Sequence, residues 1–382
     1  MKQKITALYL VAFFLSLHIA LPAYVNSTFL SNFVAERFIG IIYTIGSILT
    51  IIIFAFVPQI LTRFGNFKVA VTILGIETLA VVSLAITQNP IFIIIAFIGS
   101  ISLIRVAAFN SDVFLESLST DSKTGGIRGF FFSSSNVAWV ASPVLAGFIL
   151  GDDNYTRLYA LTALAAIPVI IIFFKKFSNF KDPAYDHFPF WKTLKIMMNR
   201  DGIRKIFLSN IMLRFFYSWM VIYTPIYLHE HIGFSWGEIG LIFSIMLVPF
   251  VVLGIPLGKI ADKYIGEKEL LSLGFVIVAV STAYLSFVDS SNFLVWALVL
   301  LVTRIGASMV DIMSETYFFK KIDGSDSNLL GFFRMTGPIA FIIGPLLATL
   351  VLPFVGIKYL FLVLGILMLW GLRYSLTLKD TL

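Results

Sequence analysis

The sequence predicts an all-α membrane protein of twelve transmembrane helices, arranged as two pseudo-symmetric six-helix bundles. Three observations predict it. The 382 residues are 59% hydrophobic and only 13% charged, with a mean hydropathy of +0.95, where a soluble domain carries roughly 25% charged residues. The apolar residues fall into runs of the length a bilayer core demands, about 20 residues each. The two halves of the chain also resemble each other at an offset of about 200 residues.

The spans are expected, in order, at 5–25, 38–61, 69–88, 90–114, 129–150 and 158–174, then at 206–228, 239–257, 270–288, 292–313, 329–352 and 355–372. The first follows Met1-Lys2-Gln3-Lys4 and mimics a signal peptide. Its apolar run is too long for one, so a first transmembrane helix is the better reading. With both termini placed in the cytoplasm, the termini and inward loops carry 21 of the 28 Lys and Arg, and the outward loops carry three: Arg37, Arg157 and Lys358. This asymmetry sets the orientation and predicts a multi-pass protein of the cytoplasmic membrane. It also gives the net charge of +7 a topological meaning, so nucleic acid is not expected as a partner. The longest loop, 175–205, holds eight Lys and Arg and reads as a cytoplasmic linker between an N-terminal bundle, 1–174, and a C-terminal bundle, 206–382. Within it, Lys192, Lys195 and Asn199 share one helical face and Trp191, Leu194 and Met198 another, the pattern of a short helix lying on a membrane surface. The chain has no cysteine, which excludes disulfides and thiolate metal sites; no cofactor or metal is expected.

The repeat keeps charged residues, Gly and Pro in register. Arg105–Glu116 and Arg304–Glu315 both read R-x6-D-x3-E, which sets an arginine and two acids on one helical stripe. Pro22-Ala-Tyr-Val recurs as Pro225-Ile-Tyr-Leu, Gly129-Phe-Phe as Gly331-Phe-Phe, and Ser142-Pro143-Val-Leu-Ala as Gly344-Pro345-Leu-Leu-Ala. Halves of six helices each enter the membrane from the same side, so they are parallel repeats about an axis along the membrane normal.

At the loop between spans 8 and 9, Gly258-Lys-Ile-Ala-Asp262-Lys263-Tyr-Ile-Gly266-Glu-Lys268 resembles the G-x-x-x-D-[RK]-x-G-x-[RK] signature of the major facilitator superfamily, with one extra residue, Ile265, before the glycine. The loop between spans 2 and 3 carries a worn copy, Pro58 to Lys68, with Thr62 in place of the acid and Arg63 after it. Ala20-Leu21-Pro22 in span 1 and Ser142-Pro143-x-x-Ala-Gly147 in span 5 are similar to fragments found in exporters of the family. The resemblance covers nearly the whole chain. It implies the major facilitator fold, transport by alternating access, and a cavity lined by spans 4 and 10.

The rise of 1.5 Å per residue puts Arg105 roughly 22 Å and Arg304 roughly 18 Å from the outer face of a ~30 Å core. A charge at that depth faces a cavity or a partner. One reading has both arginines lining the cavity and meeting an anionic group. The other has each paired with an acid or with backbone carbonyls. Asp112, Glu116, Asp311 and Glu315 come out at the cytoplasmic edge and read as gate residues, with Arg63, Arg128, Lys263 and Arg334 as partners; Gly258 and Asp262 belong to the same gate. Arg214, amid Asn210, Tyr217, Trp219 and Tyr223, suits the wall of a binding site for an anionic or amphipathic solute, or snorkels to the interface. Asn110 adds a hydrogen-bonding group on span 4. Glu77, the carboxylate deepest in a span, and His18 are the candidates for carrying a proton. Each also has a bland reading, a neutral hydrogen-bonded acid packing span 3 and a hydrogen-bonded histidine in the cavity wall.

The function expected is therefore secondary active transport of a small organic solute, leaning to a proton-coupled exporter and acting as a single chain in the lipid bilayer. The alternatives are uptake of a metabolite or organic anion, or a sensor or scramblase on the same fold. An ATP-driven pump would need G-x-x-x-x-G-K-[ST], and a membrane enzyme H-E-x-x-H, G-x-S-x-G or converging His and Asp; the sequence contains none of these motifs, and its four histidines are scattered.

Overall fold

The computed structural model describes residues 2–118, 124–151, 153–183, 185, 190–322 and 327–379. The helices are α1 (Lys2–Ala23), α2 (Asn26–Ser31), α3 (Glu36–Phe64), α4 (Asn66–Ile86), α5 (Pro90–Leu118), α6 (Thr124–Leu150), α7 (Tyr155–Ile172), α8 (Phe190–Asn199), α9 (Asp201–Ile226), α10 (Trp236–Val252), α11 (Gly254–Ile260), α12 (Glu267–Leu285), α13 (Phe293–Lys321), α14 (Ser327–Arg334), α15 (Thr336–Met368) and α16 (Trp370–Ser375). The described residues contain helices and no strand, as a chain that must satisfy its own backbone groups in lipid requires. Among the described residues, eleven segments are long and apolar enough to cross a membrane. The last, Phe332–Ser375, is 44 residues long, about twice what one crossing needs. It breaks at Gly356, whose φ of 70° is non-helical, so it supplies two spans. Beyond the break, the Lys358 carbonyl accepts from Ser286 Oγ at 2.8 Å and the Lys358 ammonium meets Asp289. The turn therefore lies at the same end of its unit as the turn after α12.

Helix ends follow local chemistry. Asn154 and Asn292 cap α7 and α13, accepting from the N–H groups of Arg157 and Leu294 at 3.0 and 2.9 Å, the standard use of a short amide ahead of a helix. Gly65 separates α3 from α4 at φ 79°, ψ 152°, and Gly266 precedes α12 at φ 85°, ψ 166°. The two copies of the signature thus make the same glycine turn, one that an L side chain resists. The extra Ile265 is taken up by a wider π turn over Ala261–Ile265, the usual way a helix absorbs one inserted residue.

The chain forms two compact units, Met1–His187 with Ser235–Gly240, and Phe188–Phe234 with Leu241–Leu382. The division falls inside the stretch expected to be a linker. In the first unit, α1 packs on α6 and α7, α4 on α5 and α7, and α3 on α5. Its core gathers Leu8, Val11, Leu74, Phe114, Phe131 and Phe173. In the second, α12 packs on α13 and α15, and α9 on α15 and α13. α8 also belongs to this unit. The face it turns to the protein is Thr193 and Met197, both buried, while Trp191 stands 77% exposed. Leu194 and Met198, which share a helical stripe with Trp191, are half-buried.

Two close approaches fix the second unit. Gly274 of α12 and Gly306 of α13 face each other so closely that a Cβ on either would meet the other's carbonyl oxygen, at 2.9 and 2.8 Å. Gly344 of α15 leaves no room for a Cβ beside Ser218, and its carbonyl accepts from Trp219 Nε1 at 2.6 Å.

Candidate functional site

In the first unit α1 and α4 bring His18 and Glu77 together in the apolar interior. His18 Nε2 lies 2.6 Å from Glu77 Oε2, and both residues are buried. On its other side His18 Nδ1 stands 2.7 Å from the carbonyl of Thr162 on α7. Ser100 on α5 donates to Glu77 Oε1 at 2.7 Å. The protons follow from this geometry. A carbonyl only accepts, so Nδ1 carries hydrogen. The Nε2–Oε2 contact then holds one proton, and the pair is either imidazolium with carboxylate or imidazole with carboxylic acid. Both forms are neutral overall, which is what burial in an apolar interior tolerates. The sequence offers His18 and Glu77 as separate candidates, each with a solitary packing role as the alternative; they are one four-helix network. Ser100 and Thr162 escape the sequence reading because a serine in a membrane helix ordinarily bonds its own turn and a backbone carbonyl leaves no signature.

In the second unit α13 carries Arg304 with 1% of its surface exposed. Its guanidinium lies over the rings of Phe216 and Tyr217 on α9, 5.2 and 5.4 Å from the centroids. Its Nε and Nη2 have no hydrogen-bond partner among the described residues. Arg214, on the same α9, lies 5.6 Å from the centroid of the Tyr217 ring, so two cations share that ring. Arg214 is otherwise engaged: Nη2 donates to Asp311 Oδ1 at 2.9 Å and Nε to Asn210 Oδ1 at 3.4 Å. This corrects two expectations. Arg214 is a paired cation, not a snorkelling one, and Asp311 takes Arg214 as its partner in addition to lying near Arg334. Asn210 also accepts from Thr336 of α15 at 2.7 Å, and its Nδ2 is left without a partner among the described residues.

The remaining candidates are placed as follows. Trp219 is fully buried with its N–H on the Gly344 carbonyl, and Tyr223 is buried beside it, ring centroids 6.5 Å apart. Both are packing groups of the α9–α15 contact. Asn110 is buried too. With its amide turned to suit both neighbours it donates to the Val106 carbonyl at 2.8 Å and accepts from Ala70 N–H at 2.9 Å. It ties α5 to α4 and does not present its amide to a solute. Arg105 is half-buried; Asp112 and Glu116, further along α5, are exposed. Glu315 accepts from Arg334 Nη1 at 2.5 Å. Arg63 is exposed and lies over the Phe64 ring, Lys263 is exposed and Gly258 half-exposed. The side chains of Arg128 and Asp262 lie outside the described residues.

One residue at the worn signature copy was not foreseen. Asp182, beyond α7, accepts from Asn66 N–H at 2.7 Å and from the Tyr185 hydroxyl at 2.6 Å. Its other carboxylate oxygen lies 2.7 Å from where a Cβ on Gly65 would stand. A carboxylate is thereby brought to the very turn whose own acid is replaced by Thr62.

The long apolar helices define a multi-pass membrane protein. Residues 206–378 match the family model described as Major Facilitator Superfamily. Along the whole chain, the crystal structure of the human organic anion transporter MFSD10 (TETRAN) is similar in fold, with a TM-score of 0.69 over 98% of this chain and 99% of that one at 13% identity. No curated protein matches by sequence. The second half of the chain is thus similar to the major facilitator superfamily, and the chain as a whole is similar in fold to that transporter.

Proposed function

We propose that the protein is a proton-coupled secondary transporter that moves a small organic solute by alternating access. The observation that carries this reading is the His18–Glu77 contact. Its single proton cannot leave while the two side chains stay 2.6 Å apart, because two lone pairs would then face each other in a medium that screens them poorly. Release of the proton therefore requires this contact to open. A shift of α1 against α4 would open it, and a link of that kind between proton occupancy and helix position is what coupled transport needs. Export is the direction favoured by the Ala20-Leu21-Pro22 and Ser142-Pro143 fragments, and the Glu315–Arg334 pair is assigned to the cytoplasmic gate together with Asp262 and Lys263.

The test is the purified protein in liposomes carrying an internal pH dye, with an imposed pH gradient and a panel of labelled organic solutes. The expected result is solute movement that dissipates the gradient. Glu77→Gln keeps an acceptor for Ser100 and a donor for His18 but cannot pass a proton. It is expected to retain solute exchange without a gradient and to lose gradient-driven accumulation. Unchanged accumulation in Glu77→Gln overturns the assignment of the pair, and a gradient that no solute dissipates overturns coupled transport.

A further inference from the structure

The proton pair leaves the most unusual charge of the second unit unexplained. Arg304 is buried, yet it has no carboxylate within ion-pair distance among the described residues, whereas its neighbour Arg214 has Asp311. An uncompensated cation in an apolar interior is costly and persists only where something offsets it. The rings of Phe216 and Tyr217 offset it in part through their faces. They leave the edge of the guanidinium plane unused.

The two unpartnered nitrogens are Nε and Nη2. In a planar guanidinium these are neighbours along one edge, with parallel N–H bonds, the fork that fits two oxygens of a carboxylate, sulfonate or phosphate. Both unsatisfied atoms of Arg304 are donors, so an acceptor-only group completes its fork. The orientation is fixed from behind. Gly306, two residues on and so roughly 200° around α13, is locked against Gly274 of α12, and this holds Arg304 toward α9.

We propose that Arg304, seated on Phe216 and Tyr217, is an oxyanion-binding subsite for the transported solute, which carries a carboxylate, sulfonate or phosphate group beside a flat apolar body. This rests on the reading of the chain as a transporter and adds the class of substrate. The apolar body follows from the rings, which offer a stacking surface next to the fork.

The test is thermal unfolding of the full chain in detergent, with benzoate, benzamide and inorganic phosphate as probes and chloride at matched ionic strength as the control. Benzoate is expected to raise the Tm of the native protein in a saturable way, and benzamide to leave it unmoved. In Arg304→Gln the benzoate affinity is expected to fall on the order of 30-fold or more, and Arg304→Lys, which keeps the charge but not the fork, to fall between. Arg304→Met removes the uncompensated cation, so without probe it is expected to unfold no lower than the native protein. A merely structural arginine would instead make Arg304→Met less stable, and that outcome overturns the proposal. So does an undiminished benzoate shift in Arg304→Gln, or the absence of any oxyanion shift in the native protein, which would leave interior water as the partner of Arg304. Benzoate binding without solute movement in liposomes would sink the transporter reading and leave the subsite standing.

Discussion

Arg214 and Asp311 make the clearest case of a residue whose role depends on a partner far along the chain. Their side chains remain 26% and 25% exposed, so solvent screens the pair and its worth is well below that of a fully buried one. Asp311→Asn is expected to destabilise the protein by about 1–2 kcal/mol, read as a lowered Tm in detergent. The double variant with Arg214→Gln is expected to recover part of that loss, since it leaves no charge stranded. Additive losses in the cycle would show that the two do not interact. The R-x6-D-x3-E stripe is legible in the sequence because helical spacing alone puts its members on one face. The identity of Asp311's partner is not legible, because Arg214 sits 97 positions away on a different helix. The same holds for His18 and Glu77, 59 positions apart: depth and residue type single each out, and nothing local says that they meet.

At the scale of elements, the turn at Gly65 takes its carboxylate from a distant stretch of the chain. The first-half copy lacks its acid, and Asp182 brings a carboxylate to the start of α4, where it caps the helix and faces the positive end of its dipole. Asp182→Ala is expected to cost about 0.5–2 kcal/mol and to speed proteolysis between Ser178 and Tyr185; cleavage at the native rate would count against the latch. Gly65→Ala is expected to be at least as damaging, since it both strains φ 79° and drives a methyl group onto Asp182. Burial, with the hydrogen bond and charge of Asp182 added, pushes the Tyr185 hydroxyl above its ordinary range. A raised value in the folded state means that this tie is fully present below about pH 10, the ordinary tyrosine value, and weakens only as the pH rises beyond it. The latch therefore does not respond to pH near neutrality, and a pH dependence of transport there has to come from another group. The repeat told where these loops would fall and that Ile265 was one residue too many. It did not tell that a π turn would absorb that residue, because the wider turn has no composition of its own.

At the scale of the whole molecule, the repeat is kept in backbone and broken in chemistry. Both units make the glycine turn before their third long helix, but one buries an acid–base pair and the other a guanidinium without an acid partner among the described residues. The apolar runs were legible because lipid allows so few ways to satisfy a backbone, and a buried His–Glu contact in one half with a buried guanidinium in the other is a division that spacing cannot reveal. Orientation is the property of the entire chain that its charges do predict, since the Lys and Arg lie overwhelmingly in one set of loops. The chain has no cysteine, so any cysteine introduced is its sole thiol. Gln88, between α4 and α5, and Lys195, on α8, are both exposed and fall in loops assigned to opposite sides. In intact cells a membrane-impermeant maleimide is expected to label Gln88→Cys and to reach Lys195→Cys only after lysis. The reverse pattern would invert the topology, and labelling of both in intact cells would mean that the loops between the spans do not alternate as an even number of crossings requires.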